Sequence, residues 1–346
     1  MKKRIVCWTL VLGFCLGLLS ACAPKKNKYS AYEMNYFDTV ITVIGYEETR
    51  EEFDKVANAI LSQFAEYHKL YSIYHRFEDL ENLCTVNDLS DGAHRTVTVD
   101  ARIIDMLLYA KEMYAATGGV VNVAMGSVLS LWHNYREIGM AAPAEASLPP
   151  MESLRAAAEH TDIGALVIDA ENGTVTLADP DMKLDVGAIA KGYATECVAQ
   201  WLEEQGITGY LLNVGGNIRA IGPKPDGTPW GVGIDNPLDG DYLAVVKVNG
   251  KSVVTSGSYQ RFYYVDGKPY HHIIHPDTLM PSEGYLSVSV ICEHSGFGDA
   301  MSTALFCLPV DEGLALVESI PELEAMWVAE DGTKTVSSGW NAYAEK

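Results

Sequence analysis

The sequence predicts an α+β fold built on antiparallel sheets. Three observations carry this. Turn dipeptides recur between β-branched runs, amphipathic helical stretches stand apart from them, and hairpin signals outnumber βαβ units. At 346 residues the chain is long enough for one large or two moderate cores.

Taken in chain order, Val40 to Ile44 has the composition of a strand. Residues 51–69 place Phe53, Val56, Ala57, Ile60, Leu61 and Phe64 at helical spacing. Asp100 reads as the N-cap of a second helix carrying Ile103, Ile104, Leu107 and Leu108, which stops at Gly118-Gly119. Residues 140–160, rich in Ala and Pro, read as an inserted lobe or a loop. Asn172-Gly173, Asn249-Gly250, Asp266-Gly267 and Asp331-Gly332 each read as the turn of a hairpin. Helices are predicted at about 187–205, 299–307 and 311–319.

The N-terminus has the pattern of an export signal. Lys2, Lys3 and Arg4 precede an uncharged apolar stretch, Ile5 to Leu19, too short to span a bilayer comfortably. It runs into Leu19-Ser20-Ala21-Cys22, the pattern of a lipobox. Residues 1–21 therefore read as a lipoprotein signal peptide, Cys22 as the lipidated N-terminus, 22–32 as a polar tether and 33–346 as the folded domain. The expected location is extracytoplasmic, anchored to the cell membrane by lipid alone. The net charge of −21, more negative still once the basic leader is removed, argues against nucleic acid as a partner. Cys84, Cys197, Cys292 and Cys307 show no CxxC spacing; they read as free thiols, with one disulfide open in this compartment.

Several polar segments interrupt the apolar pattern. In Lys183 to Tyr193, Asp185 and Lys191 flank a turn into a helix, where Gly187 and Gly192 allow close backbone approach. This fits an anion site, and equally an ordinary strand-to-helix turn with an ion pair. Asp299 and Thr303, four residues apart, share one helix face as hard oxygen ligands for Mg²⁺, or serve as a cap and a back-bonded hydroxyl. His271, His272 and His275 offer acid–base groups, metal ligands or a solvated strand end, although Pro276 disfavours the helix that a two-His zinc site at 272 and 275 would use. Gly118-Gly119 and Gly215-Gly216 mark special backbone geometry.

As a set these segments resemble the ApbE family, the FAD:protein FMN transferases. In order they are Phe37-Asp38-Thr39, Tyr71 to Tyr74, Thr117 to Trp132, Leu184 to Ala194, Asn213 to Gly222, Trp230 to Pro237, Thr255-Ser256-Gly257, His272 to Thr278 and Asp299 to Leu305. The resemblance spans residues 34–308. It implies a two-lobed, T-fold-like architecture with FAD bound in a cleft between the lobes. It implies transfer of FMN from the substrate FAD to a Thr or Ser of a partner protein, with Mg²⁺ (or Mn²⁺) as cofactor and AMP released.

By position, the resemblance makes Phe37, Tyr74, Val120, Val121, Asn122, Asp185, Lys191 and Ile274 the FAD contacts. The carbonyl of Ala188 and the side chains of Asp299 and Thr303 become metal ligands, and His272 the base on the acceptor hydroxyl. The sequence departs from the family at Asn122 (Asp), Ala124 (Thr), His275 (Asp) and Leu279 (Gly). An FAD pyrophosphatase, with water replacing the hydroxyl, is the alternative enzyme. A non-catalytic flavin-binding or solute-binding lipoprotein is the alternative outside catalysis.

Overall fold

Alternating burial builds the largest sheet. In the strand Tyr210–Val214, the side chains of Tyr210, Leu212 and Val214 enter one core while Leu211 enters another on the opposite face. The computed structural model describes residues 25–88 and 96–345; the leader and Cys22 lie outside them.

The first part of the chain contains β1 (Asn27–Glu33), β2 (Ile41–Glu47), α1 (Arg50–Tyr71), α2 (Leu83–Val86), β3 (Thr96–Thr98), α3 (Ala101–Ala116), α4 (Gly126–Ala141), α5 (Met151–Ala158), β4 (Leu166–Asp169) and β5 (Thr174–Leu177). There follow α6 (Ala190–Glu204), β6 (Tyr210–Val214), β7 (Asn217–Ile221), β8 (Trp230–Asp235), β9 (Tyr242–Val248), β10 (Ser252–Gly257), β11 (Phe262–Val265) and β12 (Lys268–His271). The last are β13 (Tyr285–Cys292), α7 (Ser295–Cys307), α8 (Val310–Ser319), β14 (Glu324–Ala329) and β15 (Lys334–Val336). The eight-stranded sheet has the order β1-β2-β6-β7-β10-β13-β14-β15, and each neighbouring pair is antiparallel. The fold is α+β with antiparallel sheets.

Helices α1, α6 and α7 cover one face of this sheet. α1 is started by a capping box between Thr49 and Glu52 and buries Phe53, Ala57, Ile60 and Phe64. The same core continues into the small sheet β3-β5-β4 and α3 through Val97, Ile104, Leu166 and Val175, so these layers share one interior. A separate cluster joins α4 and α5 to the β11–β12 ribbon and to Ile274 and Leu279. Residues 140–160 thus resolve into the end of α4, a 3₁₀ turn at Pro143–Glu145 and α5.

Two expectations are corrected. Asn27–Glu33 belongs to the sheet and not to a tether: it pairs with β2 along its length, and Tyr29 and Ala31 pack onto the core. Only Tyr29 and Ala31 of its seven residues pack on the core, while Asn27 and Glu33 in the same alternating set are polar, so the period-2 pattern is too short to stand out. The Asn249-Gly250 turn does not close a hairpin. β9 pairs with β8, whereas β10 lies between β7 and β13. Val246 and Val248 bury against the back face of the large sheet with Val253, so the turn carries the chain from one layer to the other. The Asn172-Gly173 and Asp266-Gly267 hairpins are present, the latter with left-handed φ at both residues (50° and 78°).

Candidate active site

The site is built where α6 meets α7. Asp299 sits on α7, only 4% exposed. Its Oδ2 accepts the Gly192 N–H at 2.8 Å and its Oδ1 accepts Asn217 Nδ2 at 3.2 Å. Lys191 Nζ lies 3.7 Å from Oδ1. The helices approach this closely because residue 192 has no side chain. A Cβ there would lie 2.4 Å from the Ser295 carbonyl oxygen and 2.5 Å from Asp299 Cβ. Gly192→Ala is therefore expected to lower stability by roughly 1–3 kcal/mol by forcing the helices apart. Denaturant unfolding would check this; an unchanged midpoint would contradict it.

The same contact frees a carbonyl. The Gly192 N–H turns to Asp299 instead of closing the first helical turn on Ala188, whose carbonyl precedes the regular bonding that starts with Tyr193 N–H to Ile189 O. Thr303 follows Asp299 by one turn, half-buried, with its Oγ1 3.4 Å from Ser256 Oγ; Ser256 also bonds Ser302 Oγ at 2.8 Å. Beside them, Asn217 Oδ1 is buried and has no partner. A buried carboxylate, a hydroxyl, a released carbonyl and an orphaned amide oxygen are hard donors that fit a small divalent cation.

The Asp185 turn is tied to the segment after α3. Asp185 N–H donates to Val123 O at 2.8 Å, and Gly126 N–H to Lys183 O at 3.0 Å. Asp185 Oδ1 accepts the Gly187 N–H, and Lys191 Nζ donates to Gly187 O at 3.2 Å. Desolvation holds the Asp185 pKa above the ordinary carboxylate value, opposed by the Gly187 N–H and by His133, Arg136 and Lys191. Val121 is buried and Val120 partly so, packed on the core edge. Asn122 uses both ends of its amide locally: Nδ2 donates to Thr161 O at 2.9 Å and Oδ1 accepts the Ala124 N–H. An Asp could not make the first bond as a carboxylate, so the departure at 122 is matched to the Thr161 carbonyl.

His272 follows β12. Burial pushes its pKa down to about 3, helped by Arg261, His271, Lys191 and Arg136, and its Nδ1 is buried without a partner. Tyr74 is exposed and lies against His133, ring centroids 4.9 Å apart. Desolvation and the nearby Asp185 raise its pKa to about 12. Phe37, at a left-handed φ of 56°, donates its N–H to His68 Nδ1 at 3.1 Å. Its neighbour Asp38 pairs with Arg261 at 3.1 Å. The Ile274 side chain is buried among Met125, Trp132 and Leu279, leaving its backbone as the part free for a ligand.

The two departures in this loop keep its shape. His275 Nδ1 accepts the Asp277 N–H at 3.1 Å, the local bond an Asp side chain makes in an Asx turn. Leu279 adopts the left-handed φ of 59° that a Gly would take freely, and its carbonyl accepts Trp132 Nε1 at 2.9 Å.

Arg261, His133 and Arg136 lie outside the motifs legible in the sequence, and Asn217 lies inside one, Asn213 to Gly222, without a role assigned to its side chain. Asn217 follows a Gly-Gly hairpin turn with positive φ at both residues, which was its one visible signal. Among the described residues, one group of three potential ligand side chains lies within mutual reach: His160, Asp179 and Asp181. It contains none of the predicted site residues. The four cysteines Cys84, Cys197, Cys292 and Cys307 are free thiols.

Comparison with known proteins identifies the fold and the family. A FAD:protein FMN transferase of Klebsiella pneumoniae is 32% identical over 279 residues, covering 78% of this chain and 84% of the relative. One from Treponema pallidum is 34% identical over 259 residues, 70% of each chain. The crystal structure of the ApbE protein of Thermotoga maritima superposes with a TM-score of 0.80 at 26% identity, covering 92% of this chain and all of the other. The flavin transferase ApbE of Vibrio cholerae shares the fold, with a TM-score of 0.75 at 23% identity over 92% of this chain and 99% of its own. The model of the ApbE family matches residues 37–327, most of the chain and every segment of the site just described, and the protein belongs to that family.

Proposed function

We propose that this protein is an FAD:protein FMN transferase, moving FMN from FAD to a Thr or Ser hydroxyl of a partner protein and releasing AMP. The observation that carries the proposal is the buried Asp299 carboxylate, fixed by the Gly192 N–H and Asn217, with Thr303 one turn on along α7. Relatives named for this activity cover most of the chain.

The residues divide the work. Asp299, Thr303 and the Ala188 carbonyl would hold Mg²⁺ or Mn²⁺, which when bound neutralises charge on the FAD pyrophosphate. Lys191, its Nζ 3.7 Å from Asp299, orients the same diphosphate as a point charge. Phe37, Tyr74, Val120, Val121 and Asn122 line the flavin's place, with the Ile274 backbone behind. His272, kept neutral at physiological pH, takes the proton of the acceptor hydroxyl. That oxygen bonds to the FMN phosphorus as the bond from this phosphorus to the bridging oxygen breaks, and AMP leaves with the bridging oxygen.

The test is purified protein with FAD, Mg²⁺ and a Thr-bearing acceptor peptide. The expected result is a peptide that gains the mass of FMN less one water, with one AMP per modified peptide. Free FMN without peptide gain would replace transfer by hydrolysis; neither product would leave binding only.

The location belongs to the same proposal. Leu19-Ser20-Ala21-Cys22 supports lipidation at Cys22 and an extracytoplasmic acceptor. Among the described residues no helix is long and apolar enough to cross a membrane. Cys22→Ser is expected to abolish labelling by fatty acid and to shift the protein out of the membrane fraction. A variant still labelled and membrane-bound would contradict the anchor.

A further inference from the structure

Helices α6 and α7 run antiparallel and touch at two levels one turn apart. At one level Gly192 N–H meets Asp299 Oδ2. At the other, four residues on along α6 and four back along α7, Glu196 Oε2 accepts the Ser295 N–H at 2.7 Å. A rise of 1.5 Å per residue puts these rungs about 6 Å apart along the axes. The second rung is deep: Glu196 is 4% exposed and Ser295 wholly buried.

Arg219 on β7 holds the carboxylate in place. Its Nε lies 3.2 Å from Glu196 Oε2, its Nη1 donates to Ala220 O at 2.6 Å and its Nη2 reaches Glu203 at 3.1 Å. Arg219 is itself 5% exposed. A buried ion pair is weak evidence for stability, because desolvating both charges offsets their attraction. What this one fixes is position, since the guanidinium is anchored to the sheet and its carboxylate partner ends on a backbone N–H of the next helix. Ser295 lies in the first turn of α7, where a free N–H and the helix dipole both favour an anion.

We propose that Glu196 is a positioning residue for the cation site. By accepting the Ser295 N–H it sets the axial register of α7 against α6, and so aims Asp299 at Gly192 N–H and toward the Ala188 carbonyl. Losing the rung lets α7 slide or rotate, displacing Asp299 and Thr303 together. The inference rests on the metal role proposed for Asp299, and its test separates the two.

The probe is Mn²⁺ alone, titrated into FAD-free protein and followed by the EPR signal of the free ion. Asp299→Ala is expected to remove a site present in the wild type. Glu196→Ala is expected to weaken the same site about tenfold or more, as loss of an outer support does elsewhere. Glu196→Gln keeps an acceptor for Ser295 N–H and is expected to stay within about threefold. Should Glu196→Ala not fold, the paired change Glu196→Met with Arg219→Met removes both charges and the rung without leaving a buried charge unpaired; it is expected to weaken the site to the same degree. Wild-type Mn²⁺ affinity in Glu196→Ala or in the paired variant, with the site lost in Asp299→Ala, would overturn the positioning role alone. An equal loss in Glu196→Gln would overturn it too, assigning the effect to charge instead of to the rung. Binding undiminished in Asp299→Ala would overturn the metal reading and this inference with it.

Discussion

Asp299→Ala is expected to leave FMN transfer at least about a thousandfold below wild type, a loss of roughly 4 kcal/mol in transition-state stabilisation. The variant loses an anionic oxygen ligand, and excess Mg²⁺ does not restore it. It also strands the Gly192 N–H and Asn217 Nδ2, both of which donate to this carboxylate. Each stranded buried donor costs about 1–3 kcal/mol, so stability falls with activity. Asp299→Asn separates the two effects. It keeps an oxygen for the Gly192 N–H yet removes the charge, and is expected to fold better than the Ala variant while remaining inactive. AMP release measured by chromatography at saturating FAD decides the matter. Turnover within tenfold of wild type in either variant would remove Asp299 from the metal site.

His272→Ala is expected to lower kcat by about 10²–10⁴, the range for a lost general base, while the Kd for FAD changes little. Burial holds the imidazole neutral down to a pKa of about 3. In the free enzyme the base is therefore already unprotonated throughout pH 5–8. The profile of kcat/KM should show no His272-dependent rise near pH 6.5, because activity through this group is lost only as pH falls toward 3. Stability has a matching sign. The unfolded chain binds the proton below about pH 6.5 and the folded chain does not until about 3. Folding free energy is thus lost as pH drops across that window, and His272→Gln should flatten the loss. A normal kcat in His272→Ala, or an inflection near pH 6.5 that vanishes in it, would contradict the assignment.

Local pattern carried much of the fold. The 3.6-residue spacing of Phe53, Ala57, Ile60 and Phe64 located α1, and the Asp266-Gly267 dipeptide located the β11–β12 ribbon. What it could not carry was which strands become neighbours. The Asn249-Gly250 turn has hairpin chemistry, yet β9 and β10 lie in different layers, a choice made by burial of Trp230 and Val246 with Ile291, Met326 and Trp340 far along the chain. β1 was hidden because only Tyr29 and Ala31 of its seven residues pack on the core, too few for a period-2 pattern to stand out.

The site divides in the same way. Asp299 and Thr303 could be paired because four residues on a helix is a local relation, and Gly192 could be suspected of close approach. Asn217, Glu196 and Arg219 reach the site only through sheet pairing and helix packing, so no spacing along the chain announces them. The departures at Asn122 and His275 also needed the fold. Only there does Thr161 O appear as the partner of one and Asp277 N–H as the partner of the other.

The most direct measurement is the anomalous diffraction of Mn²⁺ in crystals grown with FAD. The account predicts a peak about 2.1 Å from an Asp299 carboxylate oxygen, from Thr303 Oγ1 and from the Ala188 carbonyl oxygen, with the pyrophosphate as a further ligand. A peak only at His160, Asp179 and Asp181, or pyrophosphate density bound away from Asp299, would contradict it.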